Sequence, residues 1–127
     1  MESEAGYLLV VDDNEMNRDL LSRRLRKKGH RVAVADGGAA ALEMIGAESF
    51  DLVLLDIMMP GIDGMEVLER IRGEHDPDEL PVIMATAKSE SEYIVAALKI
   101  GANDYVTKPY NPQELSARIR RLLNPKR

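Results

Sequence analysis

The sequence predicts an α/β domain in which a five-stranded parallel sheet is covered by helices on both faces. Three observations carry this prediction. Five short apolar runs recur along the chain, a helical pattern follows each of them, and three of the runs are nearly continuous in Leu, Val and Ile. A strand buried on both faces has no use for polar alternation, so an unbroken apolar run suits a parallel sheet. Strict strand–helix alternation requires crossover connections, and these place helices on both sides.

The elements follow in order. The first strand is Tyr7 to Val11, and the first helix Asn14 to Lys28 shows the pairs Met16/Leu20 and Leu21/Leu25 before Gly29. Arg31 to Ala35 is a weaker strand pattern; the next helix carries Ala41, Leu42 and Ile45 and meets Gly46. Leu52 to Asp56 is the most apolar strand, and the helix after it carries Val67, Leu68 and Ile71 and stops near Gly73. The stretch from His75 to Pro81 reads as a surface loop. Pro81 to Ala85 is the fourth strand. Ser89-Glu90-Ser91-Glu92 forms a capping-box pattern ahead of Ile94, Ala97 and Leu98, and Gly101 stands at the C-cap. Asp104 to Val106 is a weaker fifth strand. The last helix opens with Asn111 as N-cap, Pro112 at the first position and Glu114 at the third, and Leu115, Ile119, Leu122 and Leu123 share one face.

A chain of 127 residues with 45% hydrophobic residues suits one self-sufficient domain. We expect residues 1–6 as an N-terminal extension, 7–123 as the domain and 124–127 as a C-terminal tail, a possible truncated linker. A net charge of −5 argues against direct nucleic-acid binding by this chain. The absence of cysteine excludes disulfides and thiolate metal sites. With neither a basic, long-apolar leader nor an apolar run of ~20 residues, the expected setting is soluble and cytoplasmic, away from membranes.

In a parallel sheet all strand ends of one sense lie on one edge, and ligands bind there. The first strand runs into Asp12 and Asp13, the third ends at Asp56, the fourth runs into Thr86, and Lys108-Pro109 follows the fifth. Packed carboxylates repel, and a divalent cation relieves the conflict. Oxygen ligands without His or Cys call for a hard ion, Mg²⁺ or Mn²⁺. A carboxylate beside such an ion can attack phosphorus, a lysine can neutralise the phosphoryl oxygens, and a hydroxyl can donate to one of them. Asp56, Lys108 and Thr86 fit those roles. Each residue alone reads equally as a cap, a strand end or a solvated turn; the joint occurrence in order carries the argument.

The segments VVDDNEMNRDLL, DLVLLDIMMPGIDGMEVLERIR, PVIMATA and GANDYVTKP resemble the receiver domains of bacterial response regulators, the CheY-like family of two-component signalling, from about Tyr7 to Leu123. The resemblance implies a flavodoxin-like, doubly wound sheet of order 2-1-3-4-5 with five helices. It implies Asp56 as phosphoacceptor, Mg²⁺ on Asp12, Asp13, Asp56 and the Met58 backbone carbonyl, and Thr86 and Lys108 on the phosphoryl group. Thr86 and Tyr105 become switch residues, Met58 and Lys88 tune phosphate lifetime, and the Lys108–Pro109 bond is cis. The implied partners are a histidine kinase or histidine phosphotransfer protein upstream and an output domain or target downstream; the implied behaviour is that of a switch rather than an enzyme.

Other readings fit less well. An aspartyl-nucleophile phosphatase would carry D-x-D on the first strand, where this chain has DDNE. A flavin binder would carry a Gly/Ser/Thr-rich first loop. A pseudo-receiver that never accepts phosphate would share the fold. The first helix carries Arg18, Arg23, Arg24, Arg26, Lys27 and Lys28, either a solvated face or a dock for an acidic kinase surface. Asp104, Glu114 and Arg118 are available for pairing across a dimer, but Ile94 stands where a basic partner is expected.

Overall fold

The computed structural model describes residues 5–87 and 91–123. Residues 1–4 of the expected extension, the 124–127 tail, Lys88, and Ser89 and Glu90 of the capping pattern lie outside the described residues. The elements are β1 (Tyr7–Val11), α1 (Glu15–Lys27), β2 (Arg31–Ala35), α2 (Gly38–Ala47), β3 (Leu52–Asp56), α3 (Gly64–Glu74), β4 (Val82–Thr86), α4 (Ser91–Ile100), β5 (Asp104–Thr107) and α5 (Pro112–Leu123). The sheet order is β2-β1-β3-β4-β5 and every pairing is parallel.

Side-chain alternation divides the apolar strands between two cores. Leu8, Val10, Leu52, Leu54 and Ile83 pack with Leu21 and Leu25 of α1 and with Leu115, Ile119 and Leu123 of α5. Leu9, Val11, Val53, Leu55 and Met84 pack with Ala41 of α2, with Val67, Leu68 and Ile71 of α3, and with Ala97 of α4. Three helices start under side-chain caps. Asn14 accepts from Asn17 N, Asp63 from Glu66 N, and Asn111 from both Gln113 N and Glu114 N. Each satisfies a backbone donor that the first helical turn leaves open.

Several expectations need correction. In α1 the apolar residues Leu21 and Leu25 face the core; Met16 is 81% exposed and Leu20 51%. Leu20 stands about 100° around the helix from Leu21 and about 140° from Leu25, on the side away from the buried stripe they define. In α4, Ala97 is buried while Leu98 is exposed. α2 continues through Gly46 to Ala47, while α3 ends at Glu74, beside Gly73 as expected. β4 begins at Val82 because Pro81 has no N–H for the ladder, although its carbonyl accepts from Val53 N. Among the described residues no helix is long and apolar enough to cross a membrane.

Candidate functional site

Parallel strands put the end of β3, the residues after β1 and β5, and the end of β4 on one edge of the sheet. Asp56 closes β3 in register with Ala85, and its side chain is buried. Asp12 and Asp13 follow β1 directly; Asp12 is buried and Asp13 exposed. One carboxylate oxygen from each of Asp12, Asp13 and Asp56 lies within 4.8 Å of the others. Lys108 Nζ stands 3.0 Å from Asp56 Oδ2 and 3.6 Å from Asp12 Oδ2. The Lys108–Pro109 peptide is cis.

The loop bearing Asp12 is held at several points. Asp12 N donates to Ala35 O, and Asp12 Oδ1 accepts from Asn14 N at 2.9 Å. Asp12 Oδ2 is buried and has no hydrogen-bond partner among the described residues. The strand end bearing Asp56 is set by close packing. Gly64 N donates to Ile57 O, and a Cβ on Gly64 would collide with the Asp56 carbonyl oxygen and stand 2.8 Å from Ile57 Cα. Gly38 lies similarly tight, where a Cβ would stand 2.6 Å from Ile62 O.

Burial pushes the Asp56 carboxyl up to about 6. The hydrogen bond and charge of Lys108 oppose that rise, the neighbouring Asp12 adds to it, and a backbone hydrogen bond at Met58 lowers it. Burial acts to lower Lys108, but its bond to Asp56 and the charges of Asp56 and Asp12 outweigh it, so the ammonium is held above its ordinary range. Tyr110 is raised, first by burial and then by the charges of Asp12 and Asp56. Three crowded carboxylates, one with an unsatisfied buried oxygen, suit a hard divalent cation that accepts oxygen ligands.

The chain matches the response regulator receiver domain family over residues 8–120. It belongs to that family. The receiver is 43% identical to the transcriptional regulatory protein AfsQ1 of Streptomyces coelicolor over 116 residues, 91% of this chain and 50% of that protein. It thus spans about half the length of this curated relative. Among solved structures it is similar to the receiver domain of Francisella response regulator 1452, with a TM-score of 0.87, 30% identity and coverage of 96% and 99% of the two chains. It is also similar to the receiver domain of NtrX from Brucella abortus, with a TM-score of 0.86, 34% identity and coverage of 92% and 98%.

Asp12, Asp13, Asp56 and Lys108 are therefore brought together. Thr86 ends β4, fully buried, and its hydroxyl donates to Ala87 O. Met58 lies two residues past Asp56 with its side chain about half exposed. Tyr105 sits on β5 opposite Met84 with its ring turned outward, 37% exposed, rather than in the core. Asp104 is bound within its own chain, by Arg118 on both carboxylate oxygens and by Arg121 at 2.7 Å. Gly64 and Tyr110 escaped the sequence reading as neighbours of the site. Tyr110 had a local signal in its place just after Lys108-Pro109; Gly64 meets the site through packing against the Asp56 backbone.

Proposed function

We propose that this receiver is a phosphorylation-activated switch that accepts a phosphoryl group on Asp56 from a phosphohistidine of a kinase or phosphotransfer protein. The observation that carries this reading is the buried Asp56 carboxylate, 3.0 Å from Lys108 Nζ and grouped with oxygens of Asp12 and Asp13. An Asp56 oxygen forms a bond to phosphorus as the phosphorus–nitrogen bond of the donor breaks, and the imidazole leaves with the electron pair. Asp12, Asp13, Asp56 and the Met58 carbonyl are the residues that would hold Mg²⁺ or Mn²⁺. When bound, that ion neutralises charge on the carboxylates and phosphoryl oxygens. Lys108 supplies the protein's own cation for those oxygens, and Thr86 supplies a hydroxyl.

Neutral pH lies above the raised value of about 6, so Asp56 is mostly ionised and available as the nucleophile. The exposed Met16 and Leu20 lie on α1 just past the site loop, among the helix's cations, and offer an apolar surface to a phosphodonor. Phosphorylation adds nearly two negative charges and strong acceptor oxygens. Thr86 turning its hydroxyl from Ala87 O to the phosphoryl group would open space for the Tyr105 ring. The face of α4, β5 and α5 would change with it. Driving such a switch from 1:99 to 99:1 takes about 5.5 kcal/mol of differential interaction. Met58 and Lys88 are assigned to phosphate lifetime, and neither supplies an acid or amide to position an attacking water.

The test is chemical labelling. Intact-mass analysis after treatment with acetyl phosphate and Mg²⁺ should show one added phosphoryl group, absent in Asp56→Asn. A wild-type protein that never gains it would instead be a pseudo-receiver, and a label that persists in Asp56→Asn would move the acceptor elsewhere. If Tyr105→Ala binds its target with an unchanged response to phosphorylation, the aromatic switch is wrong.

A further inference from the structure

We infer that Arg18 is a positioning residue for the cation site, acting through the backbone of the loop that carries Asp12 and Asp13. Arg18 lies on α1, one turn past the Asn14 cap, and reaches back so that its Nη1 donates to the Asp12 carbonyl at 2.9 Å. The bond is partly buried and joins two residues six apart in sequence. With it, the hydrogen-bonding capacity of Asp12 is nearly accounted for. Its N–H is held by Ala35 O, its carbonyl by Arg18, and its Oδ1 by Asn14 N. The one atom left over is Oδ2, buried without a hydrogen-bond partner among the described residues and facing the Asp56 side of the cluster, 3.6 Å from Lys108 Nζ.

That division of labour is what a rigid ligand set needs. An aspartate held at its N–H, its carbonyl and one carboxylate oxygen offers the other oxygen in a restricted direction. The clamp also bears on Asp13, which follows Asp12 with no intervening residue and is the exposed member of the trio. Among the described residues Arg18 makes no hydrogen bond to Asp13 or to the Asp56 carboxylate. Its effect runs through the Asp12 carbonyl, as an outer-shell partner. Such partners commonly change metal affinity about 10–100-fold when removed.

Two contributions of Arg18 oppose each other, so the sign of the effect is informative. Its positive charge disfavours a nearby dication, whereas its hydrogen bond orders the loop that holds it. The geometry points to ordering as the larger of the two, because a charge-assisted bond to a partly buried carbonyl is short and directional, while the guanidinium charge is partly solvated.

This inference rests on the cation-dependent reading of the site, and the experiment separates the two. Mg²⁺ is titrated calorimetrically into the metal-free wild-type chain, Arg18→Ala and Arg18→Lys, with thermal melts of each in chelator. Wild-type binding that is lost in Asp13→Asn supports the site itself. Arg18→Ala should then bind Mg²⁺ about tenfold more weakly. Arg18→Lys, which keeps a donor, should recover most of that loss. Equal or tighter binding by Arg18→Ala overturns the inference and leaves the site intact. Equally weak binding by both variants overturns it as well, since a retained donor would then be irrelevant. No binding by the wild-type chain removes the functional reading and the inference together. Should Arg18→Ala melt too low to titrate, Arg18→Lys and Arg18→Gln decide. Both retain a donor while only lysine retains charge, so ordering predicts near-wild-type affinity for each, and charge control predicts tighter binding by the glutamine variant.

Discussion

Two buried aspartates in this receiver meet opposite fates. Asp104, at the start of β5, is surrounded by donors: Arg118 on both oxygens, Arg121 on one, and Tyr105 N at 2.8 Å. Asp56, at the end of β3, has one lysine, shares it with Asp12, and meets two further carboxylates. The first arrangement answers a buried charge with donors and holds α5 to the sheet. The second leaves a buried charge with few donors, and burial, with a smaller push from Asp12, raises Asp56 to about 6 against the pull of Lys108. The structural ion pair meets its buried charge with donors, whereas the proposed cation and phosphoryl site retains unmet charge. The comparison also bears on assembly. Asp104 and Arg118 are already engaged with each other, so recruiting them across a dimer would first break a bidentate pair.

Gly64→Ala should break the Asp56 side of the comparison most severely. The new methyl meets the Asp56 carbonyl oxygen and Ile57 Cα, backbone atoms that cannot swing aside. A loss of at least about 3 kcal/mol in urea unfolding is expected, together with impaired Asp56 labelling. Near-wild-type stability would show that the strand end is looser than its packing indicates.

The pH dependence of Asp56 sharpens the contrast next. Its folded value of about 6 lies above the model-compound 3.8, so the native state holds the proton more tightly than the unfolded chain. In chelator, the stability associated with that proton is full below 3.8 and is lost as pH rises through about 6, a swing of about 3 kcal/mol. Asp56→Asn should lack this component. Unfolding of both proteins at pH 4 and pH 7.5 measures it, and identical pH slopes would refute the buried-charge account.

Asp104→Asn tests the closed cluster. Arg118 and Arg121 keep access to solvent, so their charges can be rehydrated, and the loss should be about 1–2 kcal/mol with Mg²⁺ affinity unchanged. Weakened Mg²⁺ binding would mean that the two clusters are coupled. The smallest effect belongs to the exposed Asp13. Asp13→Asn should raise the melting temperature in chelator by about 1–3 °C and abolish the stabilisation that Mg²⁺ gives the wild-type protein. An unchanged response to Mg²⁺ would remove Asp13 from the ligand set.

Much of the fold was legible because burial imposes simple patterns. Unbroken runs such as Leu52 to Leu55 admit few partners other than helices on both faces, and Asn111-Pro112 announces a helix start without tertiary help. The partial failures are equally physical. Met16 and Leu20 look like core residues by type, but their place on the side of α1 turned away from Leu21 and Leu25 puts them in solvent. Gly64 is a glycine among nine, and nothing local reveals that the Asp56 backbone presses against it.

By itself the sequence determined the strand–helix alternation and the chemistry available at the strand ends: acids after β1 and at the end of β3, a hydroxyl at the end of β4, an amine after β5. The distances were beyond it. Only the folded sheet decided that Lys108 Nζ lies 3.0 Å from Asp56, that Asp12 keeps a buried oxygen with no hydrogen-bond partner among the described residues, and that Arg118 closes on Asp104. The reason is that residue type and period are local properties, whereas the meeting of residues far apart along the chain depends on how the crossovers stack every strand in register.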